Sequence, residues 1–554
     1  MRSISLLILS ITLFSNLYCK KSKNDDFNDL LLLYLFSTRA NATACGITSD
    51  DPLYTNQWHL NNVGQSGGTT GEDARVLSVW NESVFGSGVN VAVVDDGLEE
   101  SHEDLKANIS TSIPGINLVN DTSSPTHIFS NSYHGSAVAG VIGARASNSL
   151  GGRGAAPCVN LVGVDILEQN TIPSSDEFSA MTHNVSAIAI SNNSWGAPDN
   201  YGTYSASSSL WRSGIDTGVS SGRQGKGTLY FWAAGNGGNP AFPTTNIKFD
   251  NSNYDGQANY YGVMAIGGIG QNGKRAAYSE SGANVLAVTH TQGNDTTTYT
   301  TAITTVDATG NRGSNNSTKT SDLSDRNYTK FFNGTSSAAP LAAGIAALLI
   351  SKYPDLSWRD VRELIAYSAR KNDASDSDWR QNAAGLNINH QYGFGAIDGE
   401  ALLNRAKNWN RIVTNQSVVT GNADTTSRAI PDNNATGVSF TYTFSSSLTY
   451  TEFVAVEFGT GHTYYPELDI EITSPNGTVS KLAESHRCYR VLYSTTCSSG
   501  STTIASSTGS SIYRFGLVRT LGENPNGNWS VKVADTSAAD TGSVNYIRLT
   551  VYGR

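Results

Sequence analysis

Three peptides, far apart in the chain, each place a reactive side chain where an apolar run begins or ends. They are Val93-Val94-Asp95-Asp96-Gly97, His134-Gly135-Ser136-Ala137 and Gly334-Thr335-Ser336-Ser337-Ala338. An acid, an imidazole and a hydroxyl constrain the fold strongly, because they can act together only if the chain folds them into one place. A serine hydroxyl attacks an amide when an adjacent base takes its proton and a third group orients that base. A fourth peptide, Ala233-Ala234-Gly235-Asn236-Gly237-Gly238, offers a side-chain amide to a developing oxyanion. Each peptide alone is weak: Asp95 alone reads as a turn, His134 as structural, Ser336 as a helix cap and Asn236 as a turn residue. The four in this order are specific.

Their surroundings predict an α/β domain. Gly88-Val89-Asn90-Val91-Ala92-Val93-Val94 reads as a parallel strand buried on both faces, with Asp95 at the carboxyl end, where ligands sit in such sheets. His134 opens a helix of small residues. Ser336 opens an Ala/Leu-rich helix, with Pro340 expected in its first turn. Free N–H groups at such an end favour negative charge. The Ser336 N–H and the Asn236 side chain are therefore the expected oxyanion donors.

With those motifs in place, residues 51–405 resemble the catalytic domain of the subtilisin-like serine proteases, in particular the kexin/furin (proprotein convertase) branch. The resemblance implies a mainly parallel central sheet with helices on both faces. It assigns Asp95 to orient the imidazole, His134 as general base then acid, Ser336 as nucleophile and Asn236 as oxyanion donor. It further implies an S1 pocket with two acids, Asp199 after Ser194-Trp195-Gly196 and Asp255 before Gly256. A carboxylate pair suits a forked guanidinium, so cleavage after Arg, and less readily Lys, is expected. Asp96 resembles the branch's S2 acid, favouring a basic P2 residue. Glu177 resembles one S4 acid. The second S2 and S4 acids are replaced by Asn131 and Ser205.

Two Ca²⁺ sites are implied by the same resemblance. One takes Asp199, Asp250 and Glu280. The other takes Asp51, Asp104 and Asn148, with carbonyls from Arg145, Leu150 and Gly152. Oxygen ligands of these kinds suit a hard cation.

Composition sets the compartment and excludes one class. The 554 residues carry a net charge of −10 with no basic stripe, which excludes a nucleic-acid-binding role and favours attraction of basic protein or peptide segments. Residues 1–19 read as a secretory signal: Arg2, then an apolar core too short to span a bilayer. Cys19 closes it and resembles a lipoprotein cleavage site, with Tyr18 out of pattern. A secreted protein, or one tethered at the cell surface or outer membrane through a lipid on Cys19, is expected, and a monomer. If Cys19 is lipidated, four cysteines remain for two disulfides. Cys488 and Cys497 are close enough to pair across a loop, which leaves Cys45 with Cys158.

The expected organisation is a signal at 1–19, a linker at 20–49, the catalytic domain at 50–408 and a second domain at 415–554. The linker is too short for the folded propeptide usual in kexin-like enzymes, so an external folding chaperone, or none, is expected. Residues 291–330, rich in Thr, Asn, Ser and Asp, read as a surface insertion near the cleft. From about residue 415, short alternating runs such as Leu468-Asp469-Ile470-Glu471-Ile472 and Trp529-Ser530-Val531-Lys532-Val533 predict an antiparallel, jelly-roll-like β-sandwich. It resembles the P domain of the same branch; a carbohydrate- or surface-binding module is the alternative. Two rival functions stay open: a subtilase of broad specificity, and an inactive protease-like adhesin.

Overall fold

A computed structural model describes residues 45–238, 250–293, 302–486 and 512–554. Cys19, Cys488 and Cys497 lie outside the described residues. Cys45 and Cys158 are both disulfide-bonded.

Asn90–Asp95 (β1) forms the centre of a seven-stranded sheet. The other strands are Ile116–Asn117 (β2), Asn160–Asp165 (β3), Ile190–Asn193 (β4), Leu229–Ala233 (β5), Val263–Ile269 (β6) and Val285–His290 (β7). The order is β2-β3-β1-β4-β5-β6-β7 and every pairing is parallel. The order reverses between β1 and β4, so a crevice opens beyond the carboxyl ends there. Asp95 ends β1, Ser194 follows β4 and Asn236 follows β5, so all three stand at that crevice.

Helices carry the other two groups. His134–Gly143 (α1) and Thr335–Lys352 (α4) pack against each other. Between them in sequence lie Ser174–Thr182 (α2) and Ser209–Gly225 (α3); Trp358–Ser368 (α5) follows. The predicted buried strand and both small-residue helices are present. Pro340, however, lies in the second turn of α4 rather than the first.

Within the expected surface insertion, the described residues 302–330 have a base packed on the core. Ile303–Val306 (β8) and Tyr328–Phe332 (β9) form an antiparallel hairpin against α1, and Ile303 and Val306 are part of the main core. The polar tip between them folds on the buried Asp307 carboxylate, which accepts the N–H groups of Ala308, Ser314 and Asn315. The polar composition therefore marks a tip that is hydrogen-bonded at its base through Asp307 and mostly exposed over residues 316–326.

Beyond the catalytic domain two antiparallel sheets form the predicted sandwich. One contains Ser417–Thr420 (β10), Thr451–Thr460 (β12), Tyr513–Leu517 (β15) and Gly542–Gly553 (β17). The other contains Asn434–Phe444 (β11), Leu468–Thr473 (β13), Val479–Ala483 (β14) and Gly527–Asp535 (β16). β13 alternates buried and half-buried residues, as a one-faced strand should. β12 is buried throughout. Its Val454, Val456 and Phe458 face the sandwich core, whereas Phe453 and Ala455 join the core of the catalytic domain.

Candidate active site

Asp95 is fully buried, and its Oδ1 accepts a hydrogen bond from His134 Nδ1 at 2.8 Å. The same oxygen accepts the Asp96 N–H at 2.9 Å. This holds the imidazole with Nε2 free for the cleft, and the Phe332 ring packs edge-on against it with centroids 5.4 Å apart. Burial lowers the His134 pKa, but the Asp95 and Asp96 carboxylates outweigh it and hold the group up at about 9.

Asp96, the expected S2 acid, turns its carboxylate to the start of α1. Its carboxylate accepts the N–H groups of Tyr133, His134 and Gly135 at 3.0, 3.1 and 2.7 Å. The residue preceding α1 supplies no side-chain cap, so Asp96 satisfies the helix's first donors from outside. All three bonds tie it to the backbone that carries the imidazole. Burial, then the neighbouring Asp95, pushes its pKa up.

Ser336 is the second residue of α4. Its hydroxyl donates to the Ser194 carbonyl at 3.3 Å, and Ser194 Oγ donates to the Ser336 carbonyl at 3.1 Å. Among the described residues the hydroxyl makes no hydrogen bond to His134. Pro340 explains half of this exchange. It has no N–H for the carbonyl four residues earlier, so that of Ser336 is left for Ser194.

Asn236 is oriented by a neighbour the sequence reading did not single out. Its Oδ1 accepts both the N–H and the hydroxyl of Thr335, at 2.7 and 3.0 Å. That turns its Nδ2 away, and Nδ2 has no partner among the described residues. The preceding Gly235 has φ 102°, and a Cβ there would lie 2.3 Å from Glu280 Oε1. Only glycine fits.

Of the expected S1 acids, Asp199 Oδ1 accepts the Asn236 N–H at 2.7 Å. Asp255 accepts the N–H groups of Ala197 at 2.9 Å and Gln257 at 2.7 Å, and burial raises its pKa. Glu177, on α2, accepts Ser208 Oγ at 2.7 Å and Gln257 Nε2 at 2.8 Å; its pKa too is raised by burial.

The expected cation ligands fall in two places. Asp250 accepts the N–H groups of Asn200 and Gly202, and Glu280 that of Gly237. Burial and the neighbouring Asp199 push Asp250 up to about 7; burial, then Asp250 and Asp199, push Glu280 far above the carboxylate range. Such uncompensated buried charge is what a divalent cation neutralises. At the other place, Asp51 accepts the N–H groups of Ser147 and Asn148, and Asp104 Oδ1 accepts Asn148 Nδ2 at 2.7 Å. Asp104 Oδ2 is buried with no partner among the described residues, and burial raises that carboxyl to about 8. The N–H groups of Arg145 and Leu150 bond to the Asp104 carbonyl and to Asn148 Oδ1, and the Gly152 N–H faces the Asp104 carboxylate and lowers its pKa. The donor chemistry fits Ca²⁺ at both. Neither is a ready-made cage: among the described residues no three acidic, His or Cys side chains are gathered to hold an ion. Arg153, unforeseen from sequence, lies against Asp51 with Nε 3.0 Å from Oδ2.

Ser194, Thr335 and Arg153 were thus not legible as site residues. Pro340, four residues after Ser336, is the signal that could have found Ser194.

Comparison with known proteins accords with this arrangement. The Subtilase family model matches residues 86–395 and the Proprotein convertase P-domain model residues 451–551. A PC3-like endoprotease variant B of Hydra vulgaris is 30% identical over 496 residues, covering 89% of this chain and 64% of the relative. Neuroendocrine convertase 2 of Sus scrofa is 30% identical over 517 residues, covering 92% and 74%. The serine protease of Aeromonas sobria, solved in complex with the chaperone ORF2, superposes with TM-score 0.80 at 27% identity, covering 93% of this chain and 97% of that one. The chain spans 64% and 57% of the length of the two Hydra relatives. The parallel sheet, the four peptides at its carboxyl edge and the appended sandwich therefore have one origin: the chain belongs to the subtilase family and carries a proprotein convertase P-domain.

Proposed function

We propose that this chain is a serine endopeptidase that cleaves proteins and peptides after basic residues, Arg before Lys. The observation that carries the peptidase chemistry is the 2.8 Å bond between buried Asp95 and half-buried His134, set beside an Asn236 amide whose Nδ2 has no partner among the described residues. The Ser336 hydroxyl leaves the Ser194 carbonyl by rotation about its side chain and donates to His134 Nε2. Bonds of this kind are commonly open without substrate and close in its complex. The hydroxyl oxygen attacks the scissile carbonyl while His134 takes its proton. Asn236 Nδ2 and the Ser336 N–H bind the oxyanion. The C–N bond then breaks as His134 returns the proton to the leaving amine, and water releases the acyl group by the same path.

Asp199 and Asp255 receive the P1 cation, and its charge offsets the burial that raises Asp255. Asp199, Asp250 and Glu280 hold one Ca²⁺. Asp51, Asp104 and Asn148, with carbonyls of Arg145, Leu150 and Gly152, hold a second. The ions supply charge neutralisation and tie loops together. The signal-like residues 1–19 support secretion, with Cys19 as the point of any lipid tether. The complex of the Aeromonas sobria protease with a chaperone supports a separate folding helper.

A second reading, broad specificity, is favoured by the backbone bonds that already hold Asp255 in place. Paired peptides that differ only in Arg or Leu at P1 decide between them. Basic specificity requires a kcat/KM ratio of at least about 100, the scale of one buried charge pair; a ratio near one sinks it. Chelation should lower both Tm and activity, and added Ca²⁺ should restore them. Ser336→Ala should lower kcat by roughly four orders of magnitude or more and abolish fluorophosphonate labelling. Retained labelling would point to another nucleophile.

A further inference from the structure

Between the catalytic domain and the sandwich lies a cavity of about 480 Å³, within the usual range for small-molecule sites. We propose that it binds an oxyanion ligand, a small molecule bearing a phosphate or sulfate ester.

Three arginines, Arg212, Arg514 and Arg548, line the cavity with one carboxylate, Glu457. Glu457 is already shared: one oxygen pairs with Arg514 at 2.8 Å and the other with Arg548 Nε. Arg212 has no ion pair among the described residues, and its Nη1 donates to the Ser207 carbonyl. The nearest other acid on its own helix, Asp216, accepts the Tyr260 hydroxyl at 2.9 Å. With Asp216 beside Arg212, the cavity carries a formal excess of one positive charge (three arginines less Glu457 and Asp216) in a chain of net charge −10.

Like charges held together this way need a reason. Burial, then the facing Arg514, disfavour the charged form of Arg212, and Tyr260, Asp216 and Glu457 offset them only in part. The side chains of Arg514 and Arg548 remain 32% and 38% exposed, and the Arg514 guanidinium lies over the Tyr260 ring, 5.8 Å from its centroid. Guanidinium forks match the geometry of phosphate and sulfate oxygens and bind them bidentately. An anion between Arg212 and the Arg514–Arg548 pair would turn the repulsion into attraction.

The cavity also touches the cleft through the backbone. Gly256 lines it and directly follows Asp255; the Gly256 N–H donates to the Ser205 carbonyl at 2.8 Å, in the bridge that pairs Ser205 with Asp255. A bound anion would brace that segment and both domains. The effect on substrate rests on the proposed role of Asp255; the binding does not.

The test is calorimetric titration of the full chain carrying Ser336→Ala, in calcium-containing buffer of constant ionic strength, with inorganic sulfate, glucose 6-phosphate and N-acetylglucosamine 6-sulfate. Saturable one-to-one binding is expected for at least one probe, together with a higher Tm than in matched chloride. The phosphate and sulfate esters separate the two ligand sources. Arg212→Gln, which forfeits only the bond to Ser207, should weaken binding by about tenfold or more. Arg212→Lys should recover part of it, and Arg75→Gln on the distant surface should change nothing. Binding by none of the probes, or affinity indifferent to Arg212→Gln in a chain of unchanged Tm, overturns the proposal. Neither result bears on peptide cleavage, so the two readings fail separately.

Discussion

His134 carries opposed demands. Burial favours the neutral imidazole, yet two carboxylates within its reach stabilise the cation and lift the pKa to about 9. A general base must be neutral, and the neutral fraction grows as pH rises through that value. The expected outcome is a kcat/KM profile whose acid limb lies near pH 9, well above the ordinary imidazole value. Asp96→Asn removes one of the two raising charges while keeping the residue's size. It should shift that limb to lower pH. It should also leave the P2 preference nearly unchanged, because the carboxylate is committed to the N–H groups of residues 133–135. A large loss of basic P2 preference with an unmoved limb would favour the S2 role. The chemical type of Asp96 was legible in the sequence. Its direction was not, since it depends on which donors α1 leaves unsatisfied beside it.

At the scale of elements, the placement of His134 depends on how closely the β8–β9 hairpin approaches α1. Thr305 Oγ1 donates to the Ala137 carbonyl at 2.9 Å, and a Cβ on Gly140 would lie 2.4 Å from that hydroxyl and 2.9 Å from the Val306 nitrogen. Gly140→Ala should therefore destabilise the chain by about 1–3 kcal/mol through overpacking and lower kcat as α1 shifts, measured as Tm alongside kcat at fixed calcium. An unchanged Tm would show that the hairpin yields without strain. Both helices and the central strand could be read from small-residue and apolar runs. The hairpin could not. Its strands are short, and its buried carboxylate at Asp307 looks, in sequence, like any polar loop.

The two domains are locked by ions as well as by apolar surface. Glu452, on the fully buried β12, accepts hydrogen bonds from Arg359 and Arg362 of α5 and from Arg554 at the chain's end; Arg554 also pairs with Glu363. Glu452→Ala would strand two buried guanidinium groups, and breaking one partner of such a set costs about 3–5 kcal/mol. Denaturant unfolding should show a loss of that size, with the sandwich and catalytic domain unfolding in separate transitions. A loss below about 1 kcal/mol would mean that water reaches the arginines.

The sequence by itself determined the elements and the chemistry they carry, because apolar runs, small-residue stretches and end-positioned reactive groups are local properties. Tertiary structure decided everything that depends on where a side chain points. It sent Asp96 to a helix end, closed Asn236 onto Thr335, left the Ser336 hydroxyl on Ser194 and buried the charged face of α5 beneath a second domain. The physical reason is the same in each case: a polar group bonds to whichever unsatisfied partner the fold brings within about 3 Å, and that partner is seldom a neighbour in the chain.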